Sequence, residues 1–235
     1  MRTIHVRSLS IGAFALLAFA GSAAAQTPPS AVLNTLEVRK LVASAEPGDH
    51  ARLSAHFAAL ADEYTTTARR HTAMSRAFDG NPNRQSATGM RDHARRLAEL
   101  DAKSAATLHE LAAHHDALAA GKPSNVPGGA ARFEGGAGAP EPTEQELSAL
   151  AAKASTPADH RGLEEYFLTL ARRYTADAER HALMAATYRG TRIAMAADHC
   201  ERLVALSRDS AKEASAGGRA ARESRRRRPV RRLAG

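Results

Sequence analysis

Four histidines and four methionines are the residues of this chain best suited to do chemistry. His71 and Met74, Met90 and His93, His181 and Met184, and Met195 and His199 stand three or four residues apart, the spacing at which two side chains on one helix converge on one ion. Apart from Met1 these are all the methionines of the chain. Imidazole binds Cu, Zn and Ni, and a thioether favours Cu(I), so the set points first to copper, with zinc as the other ion it would accept. Asp177, four residues before His181, is placed to orient that imidazole or to supply an oxygen ligand. Cys200 lies one position, about 100°, round the helix from His199 and is read as a bystander.

The His-x-x-Met pairs at His71/Met74 and His181/Met184 resemble those of periplasmic copper-handling helical proteins, over those few positions. The resemblance implies a metal-binding or metal-buffering role. The same residues also suit a buried polar layer, with Met filling gaps and each neutral His satisfied by Tyr64, Tyr174 or Thr67. A non-covalent haem with His or Met axial ligands is a third arrangement a helical bundle accepts.

These residues sit in an internal repeat. A shift of 110 positions carries Pro47, Asp49, His50, Leu53, Phe57, Leu60, Tyr64, His71 and Met74 onto Pro157, Asp159, His160, Leu163, Phe167, Leu170, Tyr174, His181 and Met184. After a four-residue deletion the shift is 106, and His93, Leu97, Leu100 and Ser104 fall on His199, Leu203, Leu206 and Ser210. Within each copy the pattern steps by three and four, as in 50, 53, 57, 60, 64, 67, 71 and 74, which keeps one stripe against a partner.

Thr156-Pro157-Ala158-Asp159 and the weaker Glu46-Pro47-Gly48-Asp49 start the long helices. They run to about Phe78 and Tyr188, and breaks follow at Asp79 to Asn83 and at Arg189-Gly190. The first returning helix keeps the same stepping at Met90, His93, Leu97 and Leu100 and ends near Gly121, and the second runs from about Thr191 to Ser215. Short helices precede each hairpin near Thr35 to Ala43 and Thr143 to Lys153. The fold expected is all-α: two duplicated antiparallel hairpins forming an up-down-up-down four-helix bundle. Both turns then lie at one end. His71 and His93 are 11 residues either side of Pro82, and His181 and His199 nine either side of Gly190, so all four would share a layer about 13 to 17 Å from that end. His50, His56, His109, His114, His115 and His160 would gather at the opposite, exposed end.

The chain divides into a signal peptide (1–25), a first repeat (26–121), a Gly/Pro-rich linker (122–142), a second repeat (143–217) and a disordered Arg-rich tail (218–235). Export to a periplasm or beyond follows from the basic start, the apolar run Ile11 to Ala20 and the small residues before Gln26. No later stretch reaches the length of a membrane span. The net charge is +8, but eight Arg against one Glu in the tail and two Arg in the leader leave the body near neutral. That excludes a general nucleic-acid face. An anionic envelope surface is the partner expected for the tail. With one cysteine and no Glu-x-x-His pair, Ser-His-Asp arrangement or phosphate-binding glycine loop, an enzyme is not expected. A non-catalytic structural or interaction module tethered by its tail is the other function these features allow.

Overall fold

The computed structural model describes residues 32–82, 84–120, 141–191 and 193–227. The proposed leader, most of the linker and the last eight residues lie outside them. Six helices follow in order: α1 (Thr35–Ser44), α2 (Pro47–Asp79), α3 (Arg84–Ala119), α4 (Glu144–Lys153), α5 (Pro157–Tyr188) and α6 (Met195–Arg227). No strand is present among the described residues, and none of these helices is long and apolar enough to cross a membrane.

The helix starts follow from local chemistry. Asn34 with Glu37, Thr143 with Glu146 and Thr156 with Asp159 each form a reciprocal capping box, satisfying two backbone N–H groups that the first turn leaves free. Pro47 and Pro157 occupy first-turn positions where no N–H is needed. The long helices bury the expected stripe: Phe57, Leu60, Leu97, Phe167, Leu170 and Leu203 are all in the core.

Helix α2 packs along α3, α5 along α6, and α3 against α6. Between α2 and α5, no pair of Cα atoms among the described residues comes within 8 Å. Side chains bridge that seam, and they do so antiparallel: Tyr64 meets Asp177, and His71 meets Tyr166. The two turns consequently lie at opposite ends. Asn81, in the first turn, donates from Nδ2 to the carbonyls of Ala151 and Ala154 at the end of α4, whereas Tyr188, at the second, meets His115 near the end of α3. The short helices reach across to the other repeat: α4 lies along α2, and α1 is shared between α5 and α2 of its own repeat.

The second return helix does not stop at Ser215. It continues to Arg227, so the expected disordered tail is helical at least that far, and only residues 228–235 fall outside the description. The reason lies in Gly217 and Gly218, which mark close approach rather than a helix end. A Cβ on Gly217 would stand 2.8 Å from the Phe167 ring, and one on Gly218 3.2 Å from Leu168. Glu164 then receives Arg222 and Arg225 at 3.2 and 2.9 Å. The positive charges of the last turn also suit the negative end of the helix dipole.

Helical Gly→Ala ordinarily stabilises by about 1 kcal/mol, but at Gly217 the new methyl group meets a fully buried ring. Gly217→Ala is expected to lower stability by about 1 to 3 kcal/mol. Gly162→Ala, whose Cβ would meet Leu150 at an ordinary 3.8 Å, should raise it by about 0.5 to 1 kcal/mol. Urea denaturation of both variants checks the opposite signs.

Candidate functional site

The antiparallel seam sends the four histidines of the expected layer to separate neighbours. His71 is fully enclosed. Its Nδ1 lies 2.8 Å from Asp101 Oδ2 and its Nε2 lies 2.9 Å from the Tyr166 hydroxyl. Tyr174 donates its hydroxyl to the same carboxylate at 2.8 Å. Every polar atom of this cluster is satisfied if Nδ1 donates to Asp101 and Nε2 accepts from Tyr166. Burial, and then the Asp101 charge, push the Tyr174 hydroxyl well above the usual phenol range.

His93 pairs through Nδ1 with Glu213 Oε1 on α6 at 2.6 Å, and Arg96 approaches the other oxygen of that carboxylate. His199 meets the Met195 carbonyl at 2.9 Å, with Glu110 at 3.5 Å. His181 lies beside His56, which is fifteen residues from His71 along α2, or about 22 Å at 1.5 Å per residue. The shared layer fails because its premise, both turns at one end, fails. Met74, Met90 and Met184 are in the core, but Met195 is 62% exposed. Among the described residues no group of three or more His, Cys, Asp or Glu is arranged to hold a metal ion.

The second set of histidines is gathered only in part, and most of it is not exposed. His50 and His115 do meet, Nδ1 to Nδ1 at 3.2 Å, and His115 Nε2 lies 2.9 Å from the Tyr188 hydroxyl. Phe57 stacks on the His115 ring. Both histidines are buried, as are His56 and His160. His160 belongs to the first turn of α5 and so to the other end of the molecule. His114, whose ring meets that of His115, is half-buried, and His109 is exposed, beside a groove between α2 and α3 floored by Ala68, Ala98, Ala102 and Ala105. Burial first, and then neighbouring imidazoles, bring the His115 pKa down to about 3.

The repeat sets up an informative contrast. Position by position, His181 corresponds to His71, Ser207 to Asp101, Tyr64 to Tyr174 and His56 to Tyr166. Where the first set is closed by a carboxylate, the second has Ser207 Oγ and His181 Nδ1, both buried without a hydrogen-bond partner among the described residues. Tyr64 donates instead to Asp177 at 3.0 Å. Asp177, expected to serve His181, is engaged by Tyr64 and Arg180. A cavity of about 40 Å³ adjoins, lined by His56, Leu60, Tyr64, His181, Met184 and Val38. Burial above all holds the pKa values of His56 and His181 down near 4. Arg180 adds to the depression at both, and Asp177 opposes it at His181.

Of the partners expected for a polar layer, Tyr174 reaches His71 only through Asp101, and Thr67 donates to the Glu63 carbonyl. Asp101, Tyr166 and Glu213 were not singled out in the sequence. Asp101 had a signal, since it falls on the α3 stripe between Leu97 and Leu108. Cys200 is fully buried, and burial pushes its thiol up to about 12, so its sulfur stays protonated and inert. Comparison with protein-family models, with curated proteins and with solved structures finds no match.

Two measurements test the histidine clusters. Asp101→Ala leaves the Tyr174 hydroxyl and His71 Nδ1 unpaired in the core and should cost about 2 to 5 kcal/mol, one desolvation penalty for each stranded group. The second is pH. The folded-state pKa values of His56, His115 and His181 lie below the unfolded value, so their contribution is fully present above about pH 6.5 and is lost as pH falls toward about 4 for His56 and His181 and about 3 for His115. Each adds up to about 1.4 kcal/mol per pH unit to the slope. Urea midpoints that do not move between pH 7 and pH 5 would contradict this burial.

Proposed function

We propose that the protein is an exported, non-catalytic helical module of the bacterial cell envelope whose basic end holds it to an anionic surface. In this reading the two hairpins are copies of one unit that together make a four-helix bundle, and the buried histidines fix how the copies meet. The observation that carries the proposal is the course of α6. The helix stays docked on α5 at Gly217 and Gly218 and buries Ala221 and Ser224 beyond them, so it carries exposed Arg219 and Arg226 outward, beside Arg222 on Glu164 and Arg227 on Glu223. Further arginines follow at Arg228, Arg231 and Arg232. The leader-like first 25 residues support export, where the available anions are lipid headgroups and envelope polysaccharides.

A copper- or zinc-buffering role through His71, Met74, Met90, His93, His181, Met184, Met195 and His199 is less favoured, because His71, His93 and His199 each have a hydrogen-bonding partner and the eight residues do not converge.

Flotation with vesicles containing an anionic phospholipid is the direct test. A basic side chain near such a surface contributes about 1 kcal/mol. Replacing Arg219, Arg226 and Arg227 by Gln, which spares the pairs at Glu164, should therefore weaken binding by tenfold or more while the helical signal is unchanged. Raising the salt concentration should have the same effect. Unaltered binding by the variant, or no binding by the parent at physiological salt, defeats the proposal. Stoichiometric copper retained through desalting of protein prepared without chelator would favour the metal reading in its place.

A further inference from the structure

Among the described residues, the segment leading into α1 is tied to the body of the protein by a hydrogen bond to a titratable side chain. The backbone N–H of Leu33 donates to His56 Nδ1 at 3.0 Å. This bond needs a lone pair on Nδ1, so the ring must carry its one proton on Nε2. A second proton on the ring would go to Nδ1, and the acceptor would be lost.

Helix α1 buries Val38, Leu41 and Val42, and with Val32 and Leu33 it closes the small cavity over the α2/α5 seam. Its counterpart α4 is fastened differently. Asn81, buried and uncharged, bonds two carbonyls at the end of α4, whereas the last turn of α1 is closed by its own chain, with the Ala45 N–H returning to Leu41 in a left-handed conformation. Each short helix also has a carboxylate tie, Glu141 ahead of α4 pairing with Arg70 and Arg173 and Ser44 of α1 donating to Asp49, whereas the Leu33 bond rests on an imidazole, the side chain whose ordinary titration falls between about pH 5 and 8.

The surroundings of His56 give an added proton little relief. From α5 it faces His181, Arg180 and Asp177; from α2, Glu63 and Tyr64; from α3, His115. The segment above it presents Val32, Leu33, Thr35 and Val38, with no charge among them. Asp177 is already bonded to Tyr64 and Arg180, and Glu63 is paired with Arg173 at 3.2 Å. His181 Nδ1 is buried and without a partner among the described residues, so the second imidazole on this cavity has no acceptor on that side to receive a new N–H. A charged ring enclosed this way is costly, and the least costly way to hydrate it is to remove the cover.

We propose that residues 32–44 form an acid-released latch, in which proton uptake at the His56/His181 cavity breaks the Leu33 tie and lifts α1 from the α2/α5 seam while α2, α3, α5 and α6 stay packed. Release would expose Val38, Leu41 and Val42 on one side and Leu60 and Met184 on the other. This inference is independent of the surface-binding reading.

Amide hydrogen exchange of the intact protein, corrected for the intrinsic effect of pH, reads the latch directly. Protection of the α1 amides should fall by tenfold or more on going from about pH 7 to about pH 5, while amides near Leu97 and Leu203 keep theirs. The midpoint should coincide with titration of the His56 ring followed by NMR. In His56→Asn the side-chain oxygen keeps an acceptor at the δ position without titrating, and release should move down by about one pH unit or more. If that variant does not fold, coincidence of the two midpoints in the parent decides the matter. Protection of α1 that persists to the pH of global unfolding, or that disappears only together with the core, overturns the proposal. So does a His56→Asn variant that folds and keeps the parental midpoint.

Discussion

The rest of the structure depends on how α2 meets α5. These two helices stay too far apart for backbone contact, and the gap is spanned by long polar side chains, with Tyr64 on Asp177, His71 on Tyr166 and Arg173 on Glu63. An apolar stripe is nearly indifferent to the direction of its partner. A buried hydroxyl or imidazole is not, because only one register gives it a partner and every other strands it in the core. These bonds therefore select the antiparallel course. That choice sends the turns to opposite ends, opens the seam to the two short helices and separates the histidines. Helices α3 and α6 show the other solution, approaching closely where the α3 and α6 residues are as small as Gly89 and Ala220.

The individual helices were legible in the sequence because their signals are local. Capping pairs, prolines at first-turn positions and a stripe stepping by three and four mark both the starts and the faces. The long-helix ends near Phe78 and Tyr188 were legible for the same reason, since glycine and asparagine breaks are written where they act. What the sequence did not display is the relation between the hairpins. Counting residues outward from each turn gives heights within a hairpin but says nothing of whether the second hairpin stands upright or inverted. The His/Met layer was built on that unstated choice. Asp101 was a readable clue, since an acid on an apolar stripe must be paired, and its partners on α2 and α5 set the register of the α2/α5 seam.

The misreading of the C-terminal segment has a different cause. Two adjacent glycines followed by a run of arginines has the composition of a disordered tail, because glycine disfavours a helix and like charges repel. Tertiary packing overrides it. The ring of Phe167 occupies the space that a side chain at position 217 would need, and Glu164 neutralises two of the arginines that would otherwise repel one another. Propensity is evaluated residue by residue, whereas the gain from close approach of two helices appears only when the partner surface is known.

The crossed placement of the short helices bears on how the chain acquires its structure. Helix α1 comes to rest on α5, more than a hundred residues later in the chain, and α4 reaches back to α2. Each hairpin zips up from local contacts, yet neither completes its cover until the other has been synthesised and has docked. Sequence-distant contacts of this kind slow folding and bind the halves into one cooperative transition. A chain cut within 121–140 would leave the α2/α3 hairpin without α4 and the α5/α6 hairpin without α1, while α1 would keep only its footing on α2.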